Sequence, residues 1–158
     1  MKSKNLSEKI LRLIKSKGFN NIELEPLLET KYILQRSGEN FKRLLFTFYD
    51  LDGKEWCLRP DLTISSVLRF VQNKSNIKQK VFYSGEAFRK TYKKQDSLIK
   101  NQIGFEILGS KNKQKDDKEI IDTSIKILKS SGFKKAVLKI GNVELFNLLI
   151  SKLDIPRR

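Results

Sequence analysis

Two short runs place charge where an apolar strand would otherwise continue. They are Leu58-Arg59-Pro60-Asp61-Leu62-Thr63, and Phe88-Arg89 followed by Gln102-Ile103-Gly104-Phe105-Glu106. A buried charge without a partner costs several kcal/mol, so these residues must find partners or face a ligand. The economical reading is a polar pocket on a sheet, built for a small charged molecule. Pro60 holds Arg59 extended to the end of its strand. Asp61 and Thr63 then stand at a strand-to-helix junction, where either could simply cap the helix. Gln102 and Glu106 are four apart and share one face of a strand, with Ile103 and Phe105 on the other. Arg89 ends the preceding strand and is expected to meet that face across a hairpin. A guanidinium, an amide and a carboxylate make a socket for an amino acid or a phosphate. The alternative is a surface cross-strand salt bridge, worth little.

The rest of the chain reads as one α+β domain over residues 1–158. Leu6, Ile10, Leu13 and Ile14 recur at helical spacing, with Ser7 as the expected N-cap and Gly18 as the stop. Residues 20–25 look extended, and Pro26 opens a predicted helix from Leu27 to Arg36. Leu44 to Tyr49, the turn Asp50-Leu51-Asp52-Gly53, and Glu55 to Leu58 read as a hairpin. A helix follows from Leu62 to Val71, then two strands, Lys80 to Phe88 and Ile99 to Leu108. Asp116-Asp117-Lys118-Glu119 starts a long helix to about Ser130, its acidic residues suiting the dipole. Ala136 to Ile140 is strand-like, and Asn142 caps a last helix, Val143 to Leu153, with Pro156 beyond it. Hairpin, helix, then two successive strands does not alternate like a doubly wound fold. It implies a largely antiparallel sheet flanked by helices.

Composition narrows the chemistry. Histidine is absent and Cys57 is the single cysteine, which removes imidazole acid–base catalysis, His-dependent nucleophilic pairs and a zinc site. No metal, no cofactor and no catalytic residue is called for. One cysteine fits a reducing cytoplasm, and no apolar run reaches the ~20 residues of a membrane span. The net charge of +15 raises nucleic acid as a partner. However, lysines outnumber arginines 25 to 8 and are scattered over nearly every element, which fits the bias of an AT-rich coding sequence better than a binding stripe.

The order of landmarks is more specific than any one of them. Asp50-Leu51-Asp52-Gly53, Leu58-Arg59-Pro60-Asp61-Leu62-Thr63, Tyr83-Ser84-Gly85 with Phe88-Arg89, Gln102-Ile103-Gly104-Phe105-Glu106 with Gly109, and Asp117-Lys118-Glu119 follow one another. From about Pro26 onward this order resembles the histidyl-tRNA synthetase-like core of class II aminoacyl-tRNA synthetases. Leu58-Arg59-Pro60-Asp61-Leu62-Thr63-Ile64 and the terminal Leu153-Asp154-Ile155-Pro156-Arg157-Arg158 are most similar to the branch of that family comprising ATP phosphoribosyltransferase regulatory subunits.

The resemblance implies that Asp61, Thr63, Gln102 and Glu106 match histidine-contacting positions. It implies that Arg89 matches the arginine gripping the ATP α-phosphate. It further implies a non-catalytic subunit that activates a short-form catalytic subunit in the first step of histidine biosynthesis, within a cytoplasmic hetero-oligomer, with histidine as a feedback effector. Lys90-Thr91 and Leu98-Ile99-Lys100-Asn101 depart from the synthetase pattern, which has an acidic residue two places after the arginine and an Arg-x-Phe run before the glutamine. A site without those groups loses the electrostatic clamp for adenylate formation. The C-terminal part of the family fold is expected to be missing, leaving an open sheet edge for self-association or another chain to cover. The alternatives are a truncated or split histidyl-tRNA synthetase and a stand-alone tRNA-binding module.

Overall fold

A computed structural model describes residues 2–74, 77–93 and 95–153. The terminal motif lies outside the described residues from Asp154 on, and Pro156 with it. The helices are α1 (Lys2–Ser16), α2 (Thr30–Ser37), α3 (Thr63–Gln72), α4 (Lys113–Ser130) and α5 (Val143–Lys152). The strands are β1 (Asn20–Asn21), β2 (Leu27–Glu29), β3 (Thr47–Tyr49), β4 (Glu55–Leu58), β5 (Gln79–Phe88) and β6 (Ile99–Leu108). They form two three-stranded sheets, ordered β1-β5-β6 and β2-β4-β3. All pairings are antiparallel except β1 with β5. No helix among the described residues is long and apolar enough to cross a membrane.

The β5–β6 hairpin positions everything else. Its register pairs Val81 with Glu106, Tyr83 with Gly104 and Gly85 with Gln102, so these six share one face. Phe82, Ile103, Phe105 and Ile107 point the other way, where Ile10, Leu11, Ile14 and Phe19 meet Ile120 and Ile127 in the main core. Phe19 stands edge-on to Phe105, ring centroids 5.3 Å apart at 83°, a favoured aromatic geometry. Lys80 reinforces this core's rim, bonding Glu119 and the Lys17 carbonyl while lying over the Phe19 ring. A second cluster, Ile33, Leu45 and Cys57, fills the space between α2 and the smaller sheet.

Arg59 joins the two sheets. Its backbone N–H donates to the Pro26 carbonyl at 2.8 Å, and its carbonyl accepts from Phe88 N–H at 2.9 Å. Its guanidinium donates to the Glu86 carbonyl at 2.8 Å and to the Leu24 carbonyl. The side chain is inside the protein, with the residue 8% exposed. Burial lowers the guanidinium pKa from its ordinary value without bringing it near neutrality. Gly85 makes room: a Cβ there would meet Arg59 Nη2 at 2.7 Å and Leu62 Cδ2 at 3.2 Å.

Several sequence expectations change in detail. Leu27–Glu29 is a strand, because Pro26 keeps the chain extended and Leu27, Leu28 and Glu29 pair with Leu58, Cys57 and Trp56; the helix starts only at Thr30. Residues Glu39–Leu44 wind as a 3-10 helix, confining the following strand to Thr47–Tyr49. Ser7 lies inside α1 rather than capping it. Helix α4 begins a turn before the acidic run, where Asn112 Oδ1 accepts from Lys115 N–H at 3.1 Å. Asp116 is then held by Lys78 and Ser110, which keep its carboxyl below the usual range. Residues 136–140 are not a strand. They find no ladder partner among the described residues, and Val137 and Ile140 are 85% and 78% exposed. Strand-like composition marks a segment able to pair, and pairing still requires a neighbouring edge.

Replacing Arg59 with Met leaves the Leu24 and Glu86 carbonyls without their buried donor. At ~1–3 kcal/mol for each unsatisfied group, the expected loss is about 2–5 kcal/mol in urea denaturation. A loss below ~1 kcal/mol would show that water replaces the guanidinium.

Candidate functional site

Four side chains converge on the junction that Arg59 and Pro60 hold straight. Tyr83, only 1% exposed, packs with Leu62 and Ala87 beneath Ile22 and Leu24. Its hydroxyl donates to Glu106 Oε1 at 2.9 Å and lies 3.0 Å from Thr63 Oγ1. A phenol has one proton to give, so with that proton on Glu106 its oxygen accepts from Thr63. The ring reaches across β6 because position 104 is glycine. A Cβ there would stand 2.4 Å from the Tyr83 ring. Gln102 Oε1 accepts from Leu62 N–H at 3.1 Å, fixing the junction from below.

Each expected site residue can now be placed. Asp61 Oδ1 accepts from Ile64 N–H at 3.0 Å, so it caps the first turn of α3. Its charge is also felt at Tyr83, where it disfavours ionisation. Thr63 and Glu106 meet through Tyr83. Arg89 shares their face by strand parity but not their end of the sheet. Glu106 pairs opposite Val81 and Arg89 follows the far end of β5, so their backbones are well separated while both side chains reach toward the Pro60–Thr63 segment. Arg89 instead donates to the Pro60 carbonyl at 3.2 Å and lies over the Phe41 ring, 5.2 Å from its centroid. The residues expected to form one socket therefore lie in a row, a track of side chains bordering Pro60 to Thr63. Its acidic end is Glu106 with Thr63, its middle is Gln102, and its cationic end is Arg89.

The loop beyond Arg89 is latched down. Lys90 N–H donates to the Leu44 carbonyl at 2.9 Å, and Lys90 Nζ sits 5.5 Å from the Phe46 ring centroid. Arg43 lies 5.7 Å from the Tyr92 centroid, so cation and aromatic alternate on both sides of the latch. Elsewhere, an open cleft of about 680 Å³ between α1 and the β1 edge borders Leu62 and Tyr83, yet includes none of the five expected site residues.

Tyr83 and Gly104 are the site residues that pattern reading undervalued. The signal was available: Tyr83 has the parity of Gly85, and a glycine faces it across the hairpin. Burial raises the Tyr83 phenol pKa well above its ordinary 10.0, and the Glu106 and Asp61 charges push it further up. The folded state thus binds this proton more tightly than the unfolded chain. The associated stability is complete below about pH 10 and falls as pH rises above that value toward the folded pKa. In alkaline denaturation, Tyr83→Phe is expected to show a shallower loss of stability above pH 10 than the parent. Parallel curves would mean the phenol is not buried in solution.

Comparison with known proteins places this geometry. A family model described as histidyl-tRNA synthetase matches residues 1–158. The ATP phosphoribosyltransferase regulatory subunit of Caldanaerobacter subterraneus subsp. tengcongensis is 29% identical over 160 residues, covering 96% of this chain and 40% of its own. The histidine–tRNA ligase of Sulfurisphaera tokodaii is 27% identical over 158 residues, covering 98% and 37% respectively. The chain therefore spans about two fifths of the length of these relatives. Among solved structures, an ATP phosphoribosyltransferase regulatory subunit/histidyl-tRNA synthetase from Bacillus halodurans superposes with a TM-score of 0.67 at 23% identity. That match covers 82% of this chain and 33% of the other, and it establishes a shared fold.

Proposed function

We propose, since this chain belongs to the histidyl-tRNA synthetase family, that it is a non-catalytic regulatory subunit of ATP phosphoribosyltransferase. In this reading residues 1–158 are a single core domain acting in the cytoplasm. It activates a short-form catalytic subunit in the first step of histidine biosynthesis and responds to histidine. The observation that carries it is the track on the β5–β6 face. A carboxylate tied to a hydroxyl at one end suits a cationic side chain, and a guanidinium at the other suits a carboxylate or phosphate.

Loss of synthetase chemistry is supported by the surroundings of Arg89. Thr91 stands where the synthetase pattern has an acid, and its hydroxyl is turned to Asp96 at 3.4 Å. Lys90 is spent on the latch against Phe46. The loop lacks the acid and the Arg-x-Phe run that organise an adenylate transition state in the synthetase pattern. The outer edge of β6 carries no strand among the described residues, and α5 exposes Leu145, Phe146, Leu148 and Leu149. Surfaces of this kind favour self-association or a partner chain. A second reading, a split histidyl-tRNA synthetase, draws on the ligase relatives in the same family.

Mixing the protein with a short-form catalytic subunit is expected to raise phosphoribosyl-ATP formation at least tenfold over that subunit alone. An unchanged rate overturns the regulatory assignment, and histidine-dependent ATP–pyrophosphate exchange by this chain would establish the split synthetase.

Glu106→Gln and Arg89→Ala are each expected to abolish the histidine response of the mixture while the melting temperature falls by only a few degrees. Should both variants unfold, those charges are structural and the ligand track is refuted.

A further inference from the structure

We propose that Tyr83 is a positioning residue: its phenol fixes the Glu106 carboxylate as a dedicated acceptor, so that the site selects ligands by a cationic N–H group. This inference rests on the ligand-track reading above and adds a determinant that the sequence pattern does not assign.

The geometry allows one polarity. Tyr83 is enclosed by Leu62, Ala87, Ile22 and Leu24, and its single hydroxyl proton goes to Glu106 Oε1 at 2.9 Å. Thr63 Oγ1, 3.0 Å away, completes the hydroxyl as donor to its oxygen. The relay therefore runs from Thr63 through Tyr83 to Glu106, and Glu106 enters it as an acceptor. Its second oxygen remains for the ligand. A cation satisfies it, whereas a neutral apolar side chain leaves a half-buried carboxylate oxygen desolvated and unpaired. Sites that leave a polar group unpaired reject the wrong ligand strongly.

Rotation of the phenol is restricted as well. Position 104 has no Cβ, and the ring occupies the volume one would fill. The ring is thus wedged across β6, and the diagonal step from Tyr83 to Glu106 is set by the register that pairs Val81 with Glu106. Because burial and the neighbouring carboxylates resist loss of the phenol proton, the relay keeps its direction across the physiological range. Phenylalanine at position 83 would retain the packing and lose both hydrogen bonds, which separates positioning from structure.

The test has a ligand-free and a ligand-bound arm. Alkaline titration of tyrosinate absorbance is run on the parent, Tyr83→Phe and Glu106→Gln chains. A late phase is expected in the parent, absent from Tyr83→Phe and moved to lower pH in Glu106→Gln. A late phase unmoved by Glu106→Gln overturns the Tyr83–Glu106 contact. Histidine and thienylalanine, an analogue whose five-membered aromatic ring carries no N–H, are then titrated calorimetrically into the parent, both single variants and the double variant. The parent is expected to prefer histidine at least tenfold. Tyr83→Phe should weaken histidine about tenfold, leave thienylalanine unchanged, and add nothing in the Glu106→Gln background. Equal weakening of both ligands, or additive losses in the double variant, overturns positioning. No binding of either ligand by the parent refutes the ligand reading itself. The absorbance titration, read without ligand, tells that failure from failure of the relay.

Discussion

The structure depends on one guanidinium in the gap between two small sheets. Two three-stranded sheets meet at this residue, each with its own apolar cluster. Arg59 closes that gap with hydrogen bonds to Leu24 and Glu86 carbonyls, and its backbone does the same to Pro26 and Phe88. An apolar residue there would leave buried acceptors unmet, and a lysine offers no planar fork to reach two of them at once. With Arg59 seated, Pro60 and Leu62 are carried onto the hairpin face beside Arg89 and Tyr83. Arg59 is therefore a structural charge that holds the junction on which Asp61 and Thr63 stand.

Much of this was legible because physical chemistry repeats at every level of the chain. The β5–β6 hairpin followed from alternation, and the common face of Gln102 and Glu106 followed from parity. What escaped was whatever depended on contacts distant in sequence. The Leu27–Glu29 strand exists because Leu58, Cys57 and Trp56 lie beside it, a circumstance invisible in its own apolar run. Residues 136–140 have a strand-like composition and no paired neighbour among the described residues. Parity fixes a face and says nothing about the contacts made on it: Arg89 reaches the Pro60 carbonyl, and Glu106 reaches Thr63 through Tyr83. Tyr83 was visible only as part of a pattern; its importance lies in the missing Cβ opposite, a contact made by an absence.

Two glycines divide the labour at the site. Gly85 gives its volume to Arg59, and Gly104 gives its volume to Tyr83. Each lies inside a ten-residue strand, where glycine is ordinarily a weakness. Here each loss of strand preference is exchanged for the approach of a side chain from another layer, so the sheet surface is shaped into sockets for its own residues. Function is thereby coupled to fold at two points that bear no charge.

The outer edge of β6 and the apolar flank of α5 lie on a molecule of net charge +15. In dilute buffer, that charge opposes the approach of a second copy to these apolar surfaces. Raising ionic strength shortens the range of that repulsion to ~3 Å at 1 M while leaving the attraction between apolar faces intact. Salt, which loosens most complexes of basic proteins with acidic polymers, thus weakens the term that opposes contact between two copies of this chain.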